Sequence, residues 1–140
     1  MDTPAPYGPP PALPPGPRDL SPHVAALLRE LGFVVWEQAT PTPSLSLVTG
    51  TWTGLTGEQF SFQYAHHHPP QGPVAWAACS MGVLPPGARE AQVCFGATQV
   101  RRLKEVRLLL LGNDVFDAAR QRLSAARATL TKSSPHSTPA

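Results

Sequence analysis

Residues 45–66 read LSLVTGTWTGLTGEQFSFQYAH, and the reading of this stretch decides the fold. Leu45 to Thr53 and Glu58 to His66 are rich in β-branched and aromatic residues. Between them Gly54-Leu55-Thr56-Gly57 forms a short loop with a turn residue at each end, the pattern of a β-hairpin. In the second arm Phe60, Phe62 and Tyr64 fall on one face while Ser61, Gln63 and Ala65 fall on the other. That alternation belongs to an antiparallel sheet covered on one side only.

Working outward, Phe33 to Gln38 is a further strand, ending before Pro41. Val74 to Leu84 is the next, with Trp76 and Cys79 on opposite faces. Pro85-Pro86-Gly87 breaks it, and Ala91 to Ala97 returns as its partner. The stretch from Thr98 to Leu111 admits two readings, because its leucines lie all round a helical wheel. Glu105 to Leu111 reads as a buried strand, the preferred choice, or as the end of a helix begun near Gln99 and stopped by Gly112.

Helices close the domain at both ends. Ser21 is the expected cap of the first, with Pro22 at the first helical position, where its missing N–H costs nothing. Val24, Leu27, Leu28 and Leu31 form one apolar stripe, and Gly32 suits the left-handed position after the helix. A last helix follows Asn113, a good cap, with Asp114 and Asp117 at the positive end of its dipole. Phe116, Ala119, Leu123, Ala126 and Leu130 make its apolar seam, expected to pack on the sheet rather than on a second copy. The fold class is therefore α+β: an N-terminal helix, a mainly antiparallel sheet of five to six strands, and a C-terminal helix packed on one face. This element order resembles that of small bacterial secretion-chaperone-like and adaptor domains, a likeness of layout with no motif behind it.

Composition sets the boundaries. Residues 1–18 are a proline-rich arm, expected to be disordered and polyproline II-like, with Pro11-Ala12-Leu13-Pro14 matching a P-x-x-P pattern. Residues 19–131 form the single compact domain, and residues 132–140 a disordered tail. Nothing at the N-terminus reads as a secretory signal, and no apolar run approaches a membrane span, so the expected setting is cytoplasmic with no membrane partner. Two cysteines, Cys79 and Cys94, are too few for a disulfide framework and read as reduced core thiols.

The net charge of +2 hides a split, with −3 over residues 1–85 and +5 over residues 86–140. Arg101, Arg102, Lys104 and Arg107 form a basic cluster, and Trp52, beside the Gly54 turn, is the aromatic residue expected to be exposed. Together they constitute a candidate nucleic-acid interface. His66 and His68 are weak candidates for metal ligation, since only alternate strand residues converge and no second ligand pair has the spacing of a metal site. Glu37 and Glu58 are the carboxylates that could meet across strands. Serine-nucleophile, P-loop and dinucleotide signatures are absent, and no cofactor is expected. The leading functional expectation is a non-catalytic protein-interaction module, an adaptor or small chaperone-like domain with an unknown protein partner and a capacity to form a homodimer. The alternative is a single-stranded nucleic-acid-binding protein using the basic C-terminal half.

Overall fold

The computed structural model describes residues 18–39, 45–67 and 76–132. The elements run α1 (Ser21–Glu30), β1 (Val34–Ala39), β2 (Leu45–Thr53), β3 (Gln59–His67), β4 (Trp76–Leu84), β5 (Gln92–Gln99), α2 (Leu103–Leu111) and α3 (Asp114–Lys132). The strands form one five-stranded sheet in sequence order, every neighbour antiparallel. The α+β class is therefore the observed one. Residues 1–17 of the proline-rich arm, residues 133–140 of the C-terminal tail and His68 lie outside the described residues.

The β2–β3 hairpin follows from its loop. The Gly54 N–H donates to the Glu58 carbonyl at 2.8 Å and the Gly57 N–H to the Gly54 carbonyl at 3.1 Å. This fixes Thr53 opposite Gln59 and, one step on, Trp52 opposite Phe60. Residues paired across an antiparallel ladder share a face, so Val48, Gly50 and Trp52 join Phe60, Phe62, Tyr64 and His66 beneath the helices. Cys79, Met81 and Val83 extend that layer on β4.

α1 begins differently from expectation. Ser21 is its first residue, and the preceding Leu20 makes no side-chain cap. The Asp19 carboxylate accepts both the Ser21 N–H at 2.9 Å and the Ser21 hydroxyl, so the local acceptor lies two residues upstream. The Leu20 N–H, buried, donates to the Tyr64 hydroxyl at 3.0 Å and ties the helix start to the middle of the sheet. Its other end is a Schellman motif. Gly32 takes φ +97°, its N–H donates to the Arg29 carbonyl, and the Phe33 N–H folds back to the Leu28 carbonyl at 2.9 Å. The chain thereby turns directly into β1 with Phe33 beneath the helix.

The preferred strand over Glu105–Leu111 is corrected: the segment is α2, and the sheet of the described residues has five strands, within the expected five to six. Two features account for it. Leucine and charged residues here favour a helix over a strand, Val106 being the lone β-branched residue. The Glu105 carboxylate also accepts the N–H groups of Arg101 at 2.6 Å and Arg102 at 3.1 Å, satisfying donors at the helix start. Val106 and Leu110, one turn apart, enter the core.

α3 starts as expected. Asn113 accepts the Phe116 N–H at 3.0 Å, and its side-chain amide donates to the Cys94 carbonyl at 3.2 Å, fastening α3 to β5. Only the first half of its seam is covered. Phe116 and Ala119 are fully buried and Leu123 partly so, whereas Leu130 is 71% exposed. Phe116 is the hub of the aromatic core, 5.5 Å from Phe33, 5.3 Å from Trp52 and 5.1 Å from Phe60 between ring centroids.

Candidate interaction surface

All three helices pack on one side of the sheet, and among the described residues no helix or strand covers the other side, the open face. Strand alternation leaves Ser61, Gln63, Ala65 and His67 of β3 on that open face. The registers extend it sideways. Trp36 lies opposite Thr49, Thr49 opposite Gln63 and Gln63 opposite Ser80; Leu45 lies opposite His67 and His67 opposite Trp76. The centre is a Ser/Thr/Gln surface, flanked by two indoles that are 50% exposed at Trp36 and 43% exposed at Trp76. They sit three strands apart and offset along the sheet, a diagonal on the order of 20 Å.

At the Trp76 end the arrangement is specific. The His67 ring stacks on the Trp76 indole, with centroids 3.8 Å apart and planes 14° from parallel. Leu45 flanks the pair on the next strand. The same end receives the exit of β5: Gln99 pairs with Ala78, and the Val100 N–H donates to the Ala77 carbonyl at 3.0 Å. Arg101 and Arg102 follow at once and are exposed. An aromatic stack and a pair of guanidinium groups, remote in sequence, therefore share one end of the sheet.

The site residues read from the sequence are only partly brought together. Arg101, Arg102, Lys104 and Arg107 are all exposed around the start of α2. Trp52 is not exposed, and that expectation is corrected: it is 5% accessible, and its indole N–H donates to the Leu31 carbonyl at 3.1 Å. Pairing with Phe60 on the covered face overrides nearness to the turn. One edge of Trp52 lines a cleft of about 350 Å³ between the end of α1 and α3, with Arg120, Leu123 and Arg127, and no member of the 101–107 cluster lines it. His67 and Trp76 were missed as a pair. The strand boundaries, one residue from those observed for β3, would have revealed them once the β3–β4 register was known.

The remaining candidates resolve individually. His66 is buried, with its Nδ1 3.4 Å from the Tyr64 hydroxyl, in the polar part of the core. Among the described residues no group of three or more His, Cys, Asp and Glu side chains is placed to hold a metal. Burial pushes the Tyr64 hydroxyl up to about 12. Burial also raises the Asp19 carboxyl, but the Ser21 hydroxyl and amide, then Ser46 and His66, outweigh it and hold the group at about 2. Glu37 and Glu58 do not meet; Glu37 pairs with Arg29 at 3.1 Å and Glu58 with Arg122 at 3.0 Å. Both cysteines are free thiols, and burial pushes Cys79 up to about 12 and Cys94 in the same direction. Among the described residues, no helix is long and apolar enough to cross a membrane.

No protein-family model matches this chain, and no curated protein or solved structure is similar to it.

Proposed function

We propose that this domain is a protein-interaction module, of the adaptor or small chaperone-like kind, which receives a partner on the open face of its sheet. The observation that carries the reading is the half-exposed Trp76 indole stacked on His67, with Trp36 across the same face. Tryptophan supplies large contact area with few rotamers to freeze, and arginine beside it adds planar hydrogen bonding, the residue types that dominate binding energy at interfaces. Arg101 and Arg102 at the Trp76 end favour a partner segment whose apolar residue is flanked by carboxylates. The Ser/Thr/Gln centre suits a polar, hydrated surround rather than an obligate apolar seal.

The runner-up is a single-stranded nucleic-acid binder, and the same geometry supports it: a π surface and guanidinium groups at one sheet end suit a stacked base and its phosphate. One experiment separates the two. Fluorescence anisotropy would compare labelled oligonucleotides with acidic, tryptophan-containing peptides selected from a display library on the full chain. Protein docking predicts peptide binding that is lost in Trp76→Ser and only moderately weakened by salt. Tight oligonucleotide binding that falls steeply with salt, and is lost when Arg101 and Arg102 become Ala, would make the nucleic-acid reading the leading one.

A further inference from the structure

The two edges of the sheet are built differently. At β5 the ladder is irregular twice. Between Cys79 opposite Thr98 and Met81 opposite Phe95, β5 carries one residue more than β4; between Met81 and Gly82 it carries another, Cys94. The carbonyls beside these irregularities are occupied. Cys94 accepts from the Asn113 side chain at 3.2 Å, and Gly96 accepts from the Thr98 hydroxyl at 2.9 Å. Bulges and capped carbonyls guard an edge against further pairing.

β1 has none of this. Its six pairs with β2, from Val34–Thr51 to Ala39–Ser46, run without a shift, and among the described residues no strand lies on its outer side. A regular edge strand directs alternate N–H and C=O groups outward as a template for another strand. Its side chains are apolar where an added strand would cover them: Val34 is 60% exposed and Trp36 50% on the open face. Its one formal charge, Glu37, is engaged by Arg29 of α1 at 3.1 Å.

We infer that β1 is the self-association edge of this chain: a second copy pairs antiparallel along it, joining two sheets into one of twice the strand number. The inference deepens the protein-interaction reading and rests on it for the choice of this edge as functional. Self-complementarity favours a second copy over an unrelated strand. In a two-fold antiparallel pair, facing residues share a face, so the axis passes through a residue and only a few registers exist. An axis at Glu37 opposes two carboxylates directly, which is unfavourable. An axis at Trp36 sets Val35 against Glu37. An axis at Val35 sets Val35 against its own copy and Val34 against Trp36 twice, so the three pairs within the strand are apolar on both faces and Glu37 falls only opposite Phe33, which is buried just before the strand begins. That register is the one we assign. The helix layer admits it: Arg29 marks the flank of α1 above β1, Glu30 turns instead towards the α3 cleft, and the exposed residues Pro22 and Ala26 leave room for a second α1.

The test uses the purified full chain alone, by light scattering across a concentration series and by cysteine cross-linking. The wild-type chain should reach twice the monomer mass, and Val34→Lys should raise the dimer dissociation constant by about tenfold or more. Because Val34 is exposed, that variant keeps its fold, checked by its circular dichroism and thermal midpoint. Val35→Cys should form a disulfide-linked dimer under mild oxidation that the wild-type chain, with Cys79 and Cys94, does not. A chain that stays monomeric throughout overturns the inference and leaves peptide docking on the open face standing. A dimer untouched by Val34→Lys but abolished by Leu130→Lys overturns it in favour of the α3 seam. Cross-linking of Trp36→Cys in place of Val35→Cys overturns the assigned axis. A wild-type dimer that binds none of the acidic peptides would instead count against the docking reading.

Discussion

Arg122 on α3 donates to the buried carboxylate of Glu58 in the β2–β3 loop at 3.0 Å, joining positions 64 residues apart. The same carboxylate accepts the Thr56 hydroxyl at 2.6 Å and the Thr56 N–H at 3.0 Å. One side chain thus shapes the hairpin turn and locks it to the last helix.

Replacing Glu58 with Ala removes the acceptor of all three hydrogen bonds and strands the Thr56 donors. The expected cost is about 2 kcal/mol, typical of losing hydrogen bonds to a charged group, measured by urea unfolding. Arg122→Ala should cost less, because the arginine side chain is half exposed. A larger loss from Arg122→Ala than from Glu58→Ala would contradict this account.

The same group gives a pH dependence. The Thr56 hydroxyl above all, with backbone amides and Arg122, holds the Glu58 carboxyl down from 4.5 to about 2 against the effect of burial, and Asp19 is lowered from 3.8 to about 2. A carboxylate lowered on folding stabilises the native state above its unfolded value and loses that stabilisation as pH falls through its folded value. The thermal midpoint should therefore be insensitive to these groups above pH 4.5 and drop as pH falls from there to about 2. Glu58→Gln should flatten part of that drop; an unchanged acid profile in the variant would refute the assignment.

Gly54 is required for space rather than for a left-handed backbone. A Cβ there would overlap the Glu58 carboxylate, so Gly54→Ala must displace the turn or break its hydrogen bonds. The expected destabilisation is about 1–3 kcal/mol, as for other overpacked sites. In the Glu58→Ala background most of that cost should vanish, which a double-mutant cycle by chemical unfolding would reveal.

The two halves of α3 should respond oppositely to substitution. Phe116→Ala opens the aromatic core shared with Phe33, Trp52 and Phe60 and should cost about 3–5 kcal/mol. Leu130→Lys, on the exposed half, should change the stability of the monomer by less than about 0.5 kcal/mol. Thermal melts at low protein concentration check both.

Burial sets the thiol chemistry. With Cys79 pushed up to about 12 and Cys94 raised as well, neither forms much thiolate at neutral pH. Alkylation at pH 7 should be slow in the native chain, slowest at Cys79, and complete for both after denaturation. Fast native modification of Cys79 would show that the core opens locally.

Local chemistry in the sequence determined most of the strands and the two flanking helices, and set three aromatic residues of β3 on one face, but not which face of the sheet the helices cover. Phe60, Phe62 and Tyr64 alternate with polar residues, and Gly32 and Asn113 punctuate their helices, so neighbours along the chain carry the signal. Local chemistry also left α2 undecided, because an apolar run of seven to nine residues has the same composition whether a strand or a helix buries it. Trp52 was misplaced for a related reason: its exposure depends on which residue of the other arm it faces, a matter of register and not of distance from a turn. The open face belongs entirely to the tertiary structure. His67 meets Trp76 only because β3 and β4 pair in one register, and Arg101 reaches the same end of the sheet only because β5 ends beside Ala77. Sequence fixes the periodicity of each strand; which residues stand together across strands is decided by pairing, which acts over distances the sequence does not record.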